Sequence, residues 1–327
     1  MKTYSNLWQK FISEDNFNVA LHDSQLGKKK QKQVRKFNLN PEENLKAIRD
    51  SIINGTFHTS AYRSMIVFEP KKRVIYKLPY NPDRIVQHAV MNILRPIMEG
   101  MFIYDSYACV EGKGQMRASR RCSQFVRRNK YCLKCDIHHF YPSIRHDILS
   151  KMLHEKIRDE KFMQIVDDII YSFEGETNAP IGNYTSQWFG NFYLTKLDYY
   201  VKQELKIKDY IRYCDDFILF SDDKEYLHEC RRKIEKFIYD ELGLTYSKAY
   251  VFVTKQGVDF CGYRMFGKYV LLRKSTAKRL KRRVRRVYPN YTEEKRTASI
   301  ASTLGWLKHC NSYNLKTKLG LVNEEVQ

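Results

Sequence analysis

No apolar run in this chain approaches the ~18 residues that a membrane-spanning helix requires. The opening stretch, MKTYSNLWQKFISEDNF, holds no apolar core of the kind a secretory leader carries. A chain of this kind, without leader or span, is expected in the cytoplasm. Cysteine occurs without the spacings that give it structural use. Eight are scattered along the sequence, as expected of reduced thiols. Cys132 and Cys135 form a CxxC, but no second pair follows at zinc spacing. They also fall in a strand-like segment, where positions three apart face opposite sides, so zinc is not expected there. Internal repeats and low-complexity linkers are missing as well. Acid is short relative to base, with 37 Asp and Glu against 58 Lys and Arg and a formal charge of +21. That imbalance points to a polyanionic partner, of which nucleic acid is the commonest. Membrane-surface and ribosome-associated proteins share such basicity, so charge alone does not choose.

What is present is a chain of 327 residues, too long for one simple core, and rich in aromatics with 24 Tyr and 18 Phe. Residues 1–40 read as polar and irregular, and the basic run from Lys28 to Lys36 reads as a solvated face or a phosphate-contacting arm. Asn40-Pro41-Glu42-Glu43 predicts a helix start with Asn40 as cap, Leu45, Ile48 and Ile52 as the apolar stripe and Gly55 as the stop. Two strands are predicted across 64–78, joined by Glu69-Pro70-Lys71-Lys72. A helix follows from Asn81-Pro82-Asp83 to Gly100, and an arginine-rich one lies before 130. A strand from Tyr131 breaks at Pro142, helices cover 145–157 and the 160s, and one long helix runs through Tyr193, Leu197 and Tyr200. Beyond 210 come a strand pair, a helix over 224–242, and short strands around 249–253, 258–264 and 268–272. From Arg273 nine cations crowd one predicted helix with no acid nearby, a repulsion that a phosphate backbone would relieve.

The chemistry concentrates in Tyr210-Ile211-Arg212-Tyr213-Cys214-Asp215-Asp216-Phe217-Ile218-Leu219-Phe220. This is strand, tight turn and strand, with two carboxylates at the tip. Asp is an ordinary turn residue, so a plain hairpin is one reading. The second arm is apolar throughout, as in a strand buried on most sides, and adjacent carboxylates there repel unless a cation intervenes. Oxygen ligands suit Mg²⁺. Asp136 is a third carboxylate inside a strand, costly if unpaired. Carboxylates from separate strands that converge on two ions are the pattern of metal-assisted nucleotidyl transfer.

On these residues the chain resembles the reverse transcriptases. Tyr213-Cys214-Asp215-Asp216 is similar to their YxDD box, and Lys134-Cys135-Asp136-Ile137 to the acidic strand motif before it. Further blocks follow the family's order: Arg73-Val74-Ile75, Asp83-Arg84-Ile85-Val86-Gln87-His88, Ile181-Gly182-Asn183-Tyr184-Thr185-Ser186-Gln187, Lys248, and Phe260-Cys261-Gly262-Tyr263. The resemblance implies an α+β right-hand polymerase. Fingers with an N-terminal extension would occupy 1–130, a palm 131–265 with a helical insertion at 145–177, and a helical thumb 266–327. It implies Asp136, Asp215 and Asp216 as the catalytic metal site for two Mg²⁺, with Mn²⁺ able to substitute. Arg73, Tyr141, Ile181, Gln187 and Lys248 would meet the nucleotide, Tyr141 as the gate against ribose 2′-hydroxyls. Lys278, Arg279, Arg282, Arg283 and Arg286 would hold nucleic acid. The implied partners are template RNA, the RNA/cDNA duplex and dNTPs, with no membrane.

One departure bears on subclass. Many bacterial relatives carry Gln-Gly-x-x-x-Ser-Pro at the palm helix, where this chain has Ile181, Gly182, Ser186 and Gln187. That form resembles the enzymes of diversity-generating retroelements, bacterial or phage-encoded, which copy with errors at template adenines beside a small basic accessory protein. The chain is expected to lack a second maturase domain and an endonuclease tail. Retron, group II intron and phage-defence enzymes are the alternatives, and an inactive RNA-binding scaffold on the same fold is a further one.

Overall fold

The computed structural model describes residues 2–68, 72–287 and 292–322, apart from the side chains of Arg286 and Val287. In chain order the elements begin with helices α1 (Trp8–Phe11), α2 (Glu14–Gln25), α3 (Lys32–Phe37) and α4 (Pro41–Ile53). Strands β1 (Arg63–Val67) and β2 (Arg73–Lys77) precede helices α5 (Ile85–Glu99) and α6 (Gln115–Arg128), then strand β3 (Tyr131–Ile137). Helices α7 (Phe140–Ser143), α8 (His146–His154), α9 (Glu160–Tyr171), α10 (Tyr184–Tyr193) and α11 (Thr195–Tyr199) lead to β4 (Asp209–Tyr213) and β5 (Asp216–Ser221). Helix α12 (Lys224–Leu242), strands β6 (Tyr246–Val253), β7 (Val258–Phe260), β8 (Tyr263–Met265) and β9 (Val270–Leu272), and helices α13 (Lys274–Val287), α14 (Glu293–Leu307) and α15 (Tyr313–Leu319) complete the chain. The chain forms two compact units that do not follow chain order. One comprises Met1–Ile103, Ile137–Tyr200 and Ile234–Ser247, the other Tyr104–Asp136, Val201–Lys233 and Lys248–Gln327.

In the first unit, residues 2–40 are organised around helices α1, α2 and α3 rather than irregular. Ser13 caps α2 by accepting from the Asn16 amide at 3.2 Å, and Phe11, Phe17 and Ala20 are fully buried. Their apolar residues are too sparse for a clear 3.6-residue period, so burial against α5 organises them. Buried Asn16 donates to the carbonyls of Phe11 and Ala89 and ties α2 to α5. Asn40 does not cap α4: its amide turns to Glu43 at 3.3 Å, and Pro41 starts the helix. The long helix expected through Tyr200 breaks at Leu194, where the Thr195 hydroxyl bonds the Phe192 carbonyl at 2.6 Å. The hairpin β1–β2 has Val67 opposite Arg73, and Met65, Ile66 and Phe68 are exposed on it. Its predicted connection Glu69-Pro70-Lys71 lies outside the described residues.

The second unit holds a four-stranded sheet in the order β4-β5-β3-β6. Strand β5 is central, and Phe217, Ile218 and Leu219 are fully buried, as their unbroken apolar run predicts. The segment before α6 covers the outer edge of β4: the Arg212 amide donates to Asp105, and the Tyr107 amide to Arg212. The strand predicted over 258–264 is a hairpin, β7–β8, that turns through Cys261 and Gly262, both with positive φ. A Cβ on Gly262 would lie 2.7 Å from the Trp306 ring. Leu280 of α13 packs with Leu304 and Leu307 of α14. Among the described residues, no helix is long and apolar enough to cross a membrane.

Candidate active site

The carboxylates are placed by strand register. On β3 and β5, Cys132 faces Phe220, Lys134 faces Ile218, and Asp136 faces Asp216. Side chains alternate along a strand, so Cys132, Lys134 and Asp136 share one side, and Phe220, Ile218 and Asp216 extend it across the sheet. This face starts in the core formed with Phe125 and Phe260 and ends in two opposed carboxylates. Tyr213 pairs with Asp216, leaving Cys214 and Asp215 as a two-residue turn. Cys214 adopts φ 57°, the left-handed conformation that tight hairpins demand of their first turn residue. Beneath it Arg212, fully buried, donates from Nη1 to the Cys214 carbonyl at 3.1 Å.

Asp216 is compensated by Lys134. Its Oδ1 and Oδ2 lie 3.0 and 3.1 Å from the Lys134 ammonium, which also donates to the Asp259 carbonyl. Only the Oδ2 contact has hydrogen-bond geometry, and buried Oδ1 accepts no aligned donor. Burial pushes the Asp216 carboxyl up to about 6; Lys134 pulls against this, while Asp136 and Asp215 add to it. Burial works to lower the Lys134 pKa, but Asp216 and Asp259 outweigh it and the net direction is upward. The donor set is all oxygen and includes an unsatisfied buried carboxylate oxygen, which suits a hard divalent cation. Among the described residues, no group of three or more His, Cys, Asp or Glu side chains is arranged to hold a metal by itself. Mg²⁺ commonly takes one or two carboxylates and completes its shell with substrate phosphate and water.

In the first unit, two of the blocks singled out in the sequence interlock. The Tyr76 amide donates to the Ile181 carbonyl at 2.8 Å, so the segment before α10 lies along β2, the strand that Arg73 begins. Arg84 donates to the Gly182 carbonyl, Gln87 accepts from the Tyr184 amide, and His88 stacks on Tyr184 at 3.9 Å. Ser186 donates to the Pro180 carbonyl. Arg73 and Gln187 are exposed, and Ile181 is half-buried. Tyr141 is also half-buried; a Cβ on Gly190 of α10 would lie 3.2 Å from its ring, a tight approach that glycine eases.

Lys248 is exposed on β6, in the second unit with the aspartates, and Lys278, Arg279, Arg282 and Arg283 are exposed on α13. The predicted role of Arg286 falls on a side chain outside the described residues. The expected lack of acid around this basic segment is corrected at Arg273, whose Nε lies 2.5 Å from Asp259. Sequence reasoning missed the pairing of Lys134 with Asp216 and the support of the turn by Arg212. Both residues belong to strands whose register was not known, although the i, i+2 spacing of Lys134 and Asp136 was a signal.

The profile of the family "Reverse transcriptase (RNA-dependent DNA polymerase)" matches residues 69–265. Group II intron-encoded protein LtrA of Lactococcus lactis subsp. cremoris is 26% identical over 181 residues, 51% of this chain and 29% of that protein. Protein YkfC of Escherichia coli (strain K12) is 23% identical over 279 residues, 68% of this chain and 71% of that protein. Among solved structures, apo telomerase from Candida tropicalis has a TM-score of 0.52 at 12% identity, covering 75% of this chain and 52% of the other. That likeness shows an α+β fold of the polymerase palm-and-fingers type. The chain spans less than a third of the length of the intron-encoded protein it matches. With the family profile matched over more than half its length, the chain belongs to the reverse transcriptase family.

Proposed function

We propose that this chain is an RNA-directed DNA polymerase that copies a template RNA into cDNA. The observation that carries the reading is the register that sets Asp136 opposite Asp216, beside the turn bearing Asp215. Asp136 and Asp215 hold divalent cations, Mg²⁺ or its substitute Mn²⁺, with Asp216 in support. Bound there, such ions would supply the positive charge that acidifies a 3′-hydroxyl and offsets a triphosphate. Arg73 offers its planar fork to the triphosphate, Lys248 adds charge, Tyr141 gates against the 2′-hydroxyl, and Ile181 and Gln187 attend the nascent pair. The exposed cations of α13 track the duplex backbone without reading sequence. Fingers over 1–130, palm over 131–265 and thumb over 266–327 are the corresponding division of labour.

Within the family, we assign the chain to the diversity-generating retroelements, with template adenines copied poorly and a small basic accessory protein as partner. Ile181 supports this, because an aliphatic side chain in place of an amide removes a polar contact, and polar contacts discriminate best. The likeness to an intron-encoded protein favours a group II intron type as the second reading. The test is Mg²⁺-dependent dNTP incorporation on a primed RNA, followed by sequencing of the cDNA. Incorporation lost in Asp215→Ala, errors concentrated at adenines, and fewer of them in Ile181→Gln are expected. No incorporation on any template would instead mean an RNA-binding scaffold, and evenly spread errors would favour the intron type.

A further inference from the structure

We propose that Lys134 is the built-in counter-ion of Asp216 and thereby sets how tightly the aspartate cluster holds a divalent cation; this rests on the polymerase reading above. The geometry is that of a diagonal cross-strand pair. Lys134 faces Ile218, two residues along β5 from Asp216, a separation a long side chain spans. Its ammonium reaches both Asp216 oxygens, the Asp259 carbonyl, and a point 5.8 Å from the centre of the Phe260 ring. The lysine is not a loose surface cation, since its side chain is only 14% exposed and Asp216 is 26% exposed. Asp259, whose backbone carbonyl takes the ammonium, is paired in turn through its side chain with Arg273.

A cation in this position does two things. It keeps Asp216 pointed along the face that Asp136 shares, and it cancels one negative charge that a divalent ion would otherwise feel. Lys134 therefore acts through Asp216 as a positioning residue, and cation binding draws chiefly on the other two carboxylates.

The test is direct Mn²⁺ binding to the full chain, followed by electron paramagnetic resonance. With Lys134 in place, Asp216→Asn should weaken Mn²⁺ binding less than Asp136→Asn or Asp215→Asn. Lys134→Met should tighten it by about tenfold, the scale of one unit charge removed at contact distance. Lys134→Arg, which retains the charge, should stay within about threefold of the unaltered protein. In the Lys134→Met background, Asp216→Asn should reverse the gain, a coupling that a merely structural lysine would not produce. If Lys134→Met does not fold, Lys134→Gln serves, with the same expected direction. Unchanged Mn²⁺ affinity on loss of the charge would overturn this inference alone. Absence of Mn²⁺ binding in an unaltered protein that still incorporates dNTP would also overturn this inference alone, whereas absence of both binding and incorporation would overturn the polymerase reading with it.

Discussion

The Ile181 carbonyl accepts the Tyr76 amide at 2.8 Å, so Gly182 lies against the backbone of β2. A Cβ on Gly182 would fall 2.1 Å from the Tyr76 carbonyl oxygen, and its φ of 128° is one that L side chains rarely adopt. Neither the strand nor the turn can yield cheaply. Gly182→Ala is expected to lose about 2–3 kcal/mol of stability, read as a lower urea midpoint. A midpoint equal to that of the unaltered protein would mean that this segment does not dock on β2.

Arg212 supports the aspartate turn from below. Its guanidinium is fully buried and bonds the carbonyl of Cys214, the residue held at positive φ. Losing a charge-assisted hydrogen bond costs about 1.5–3 kcal/mol. Arg212→Met is expected to lower both stability and kcat, with KM for dNTP little changed, because the turn carrying Asp215 loses its support. An unchanged kcat in a folded variant would argue against this role.

The aspartates themselves should show the steepest dependence. Asp136→Asn and Asp215→Asn keep the side chain's size but remove the charge and turn one acceptor oxygen into a donor. Incorporation is expected to fall by about 10³-fold or more, equivalent to several kcal/mol of transition-state stabilisation. Single-turnover rates on a primed RNA check this, and residual activity within tenfold would move the site elsewhere.

His88 gives a pH signature. Burial, with Arg84 and Lys28 adding to it, lowers its pKa to about 4, and its Nε2 has no hydrogen-bond partner. The unfolded chain takes up this proton near 6.5, well above the pH at which the folded one does. Protonation therefore favours unfolding: the contribution is complete above about pH 6.5 and is lost as pH falls through 4, on the order of 3 kcal/mol in all. His88→Phe keeps a ring against Tyr184 and should flatten the fall in urea midpoint between pH 7 and 4.5. Equal slopes would show that His88 does not carry it.

The exposed cations of α13 predict a salt effect. Each phosphate contact removed should lower the slope of log K against log salt for a duplex by about 0.9. Replacing Lys278, Arg279 and Arg282 together by Gln is expected to lower it by about 2–3, equally for unrelated duplex sequences. A slope that did not move would place the duplex on another face.

Local pattern was enough to locate the strand pair around Asp215 and Asp216, the helix over 224–242 and the basic helix beyond Arg273, because each has a clear period or an unbroken apolar run. It was not enough at the N-terminus, where apolar residues too sparse for a clear period are buried by α1 and α2 against α5, nor at Leu194, where the helix is interrupted beside the Thr195 back-bond to Phe192. The order of chemical blocks along the chain was likewise legible, since Asp136, Asp215 and Asp216 keep their spacing in any structure. Their meeting was decided by register. A slip of one residue between β3 and β5 would turn Asp136 away from Asp216. The same register brought Lys134 to Asp216, and the docking of Ile181 on Tyr76 joined blocks a hundred residues apart. By itself the sequence determined which groups this protein has for its chemistry. Tertiary structure decided which charges offset one another, because Coulomb and hydrogen-bond energies depend on separations of a few ångströms that chain order does not set.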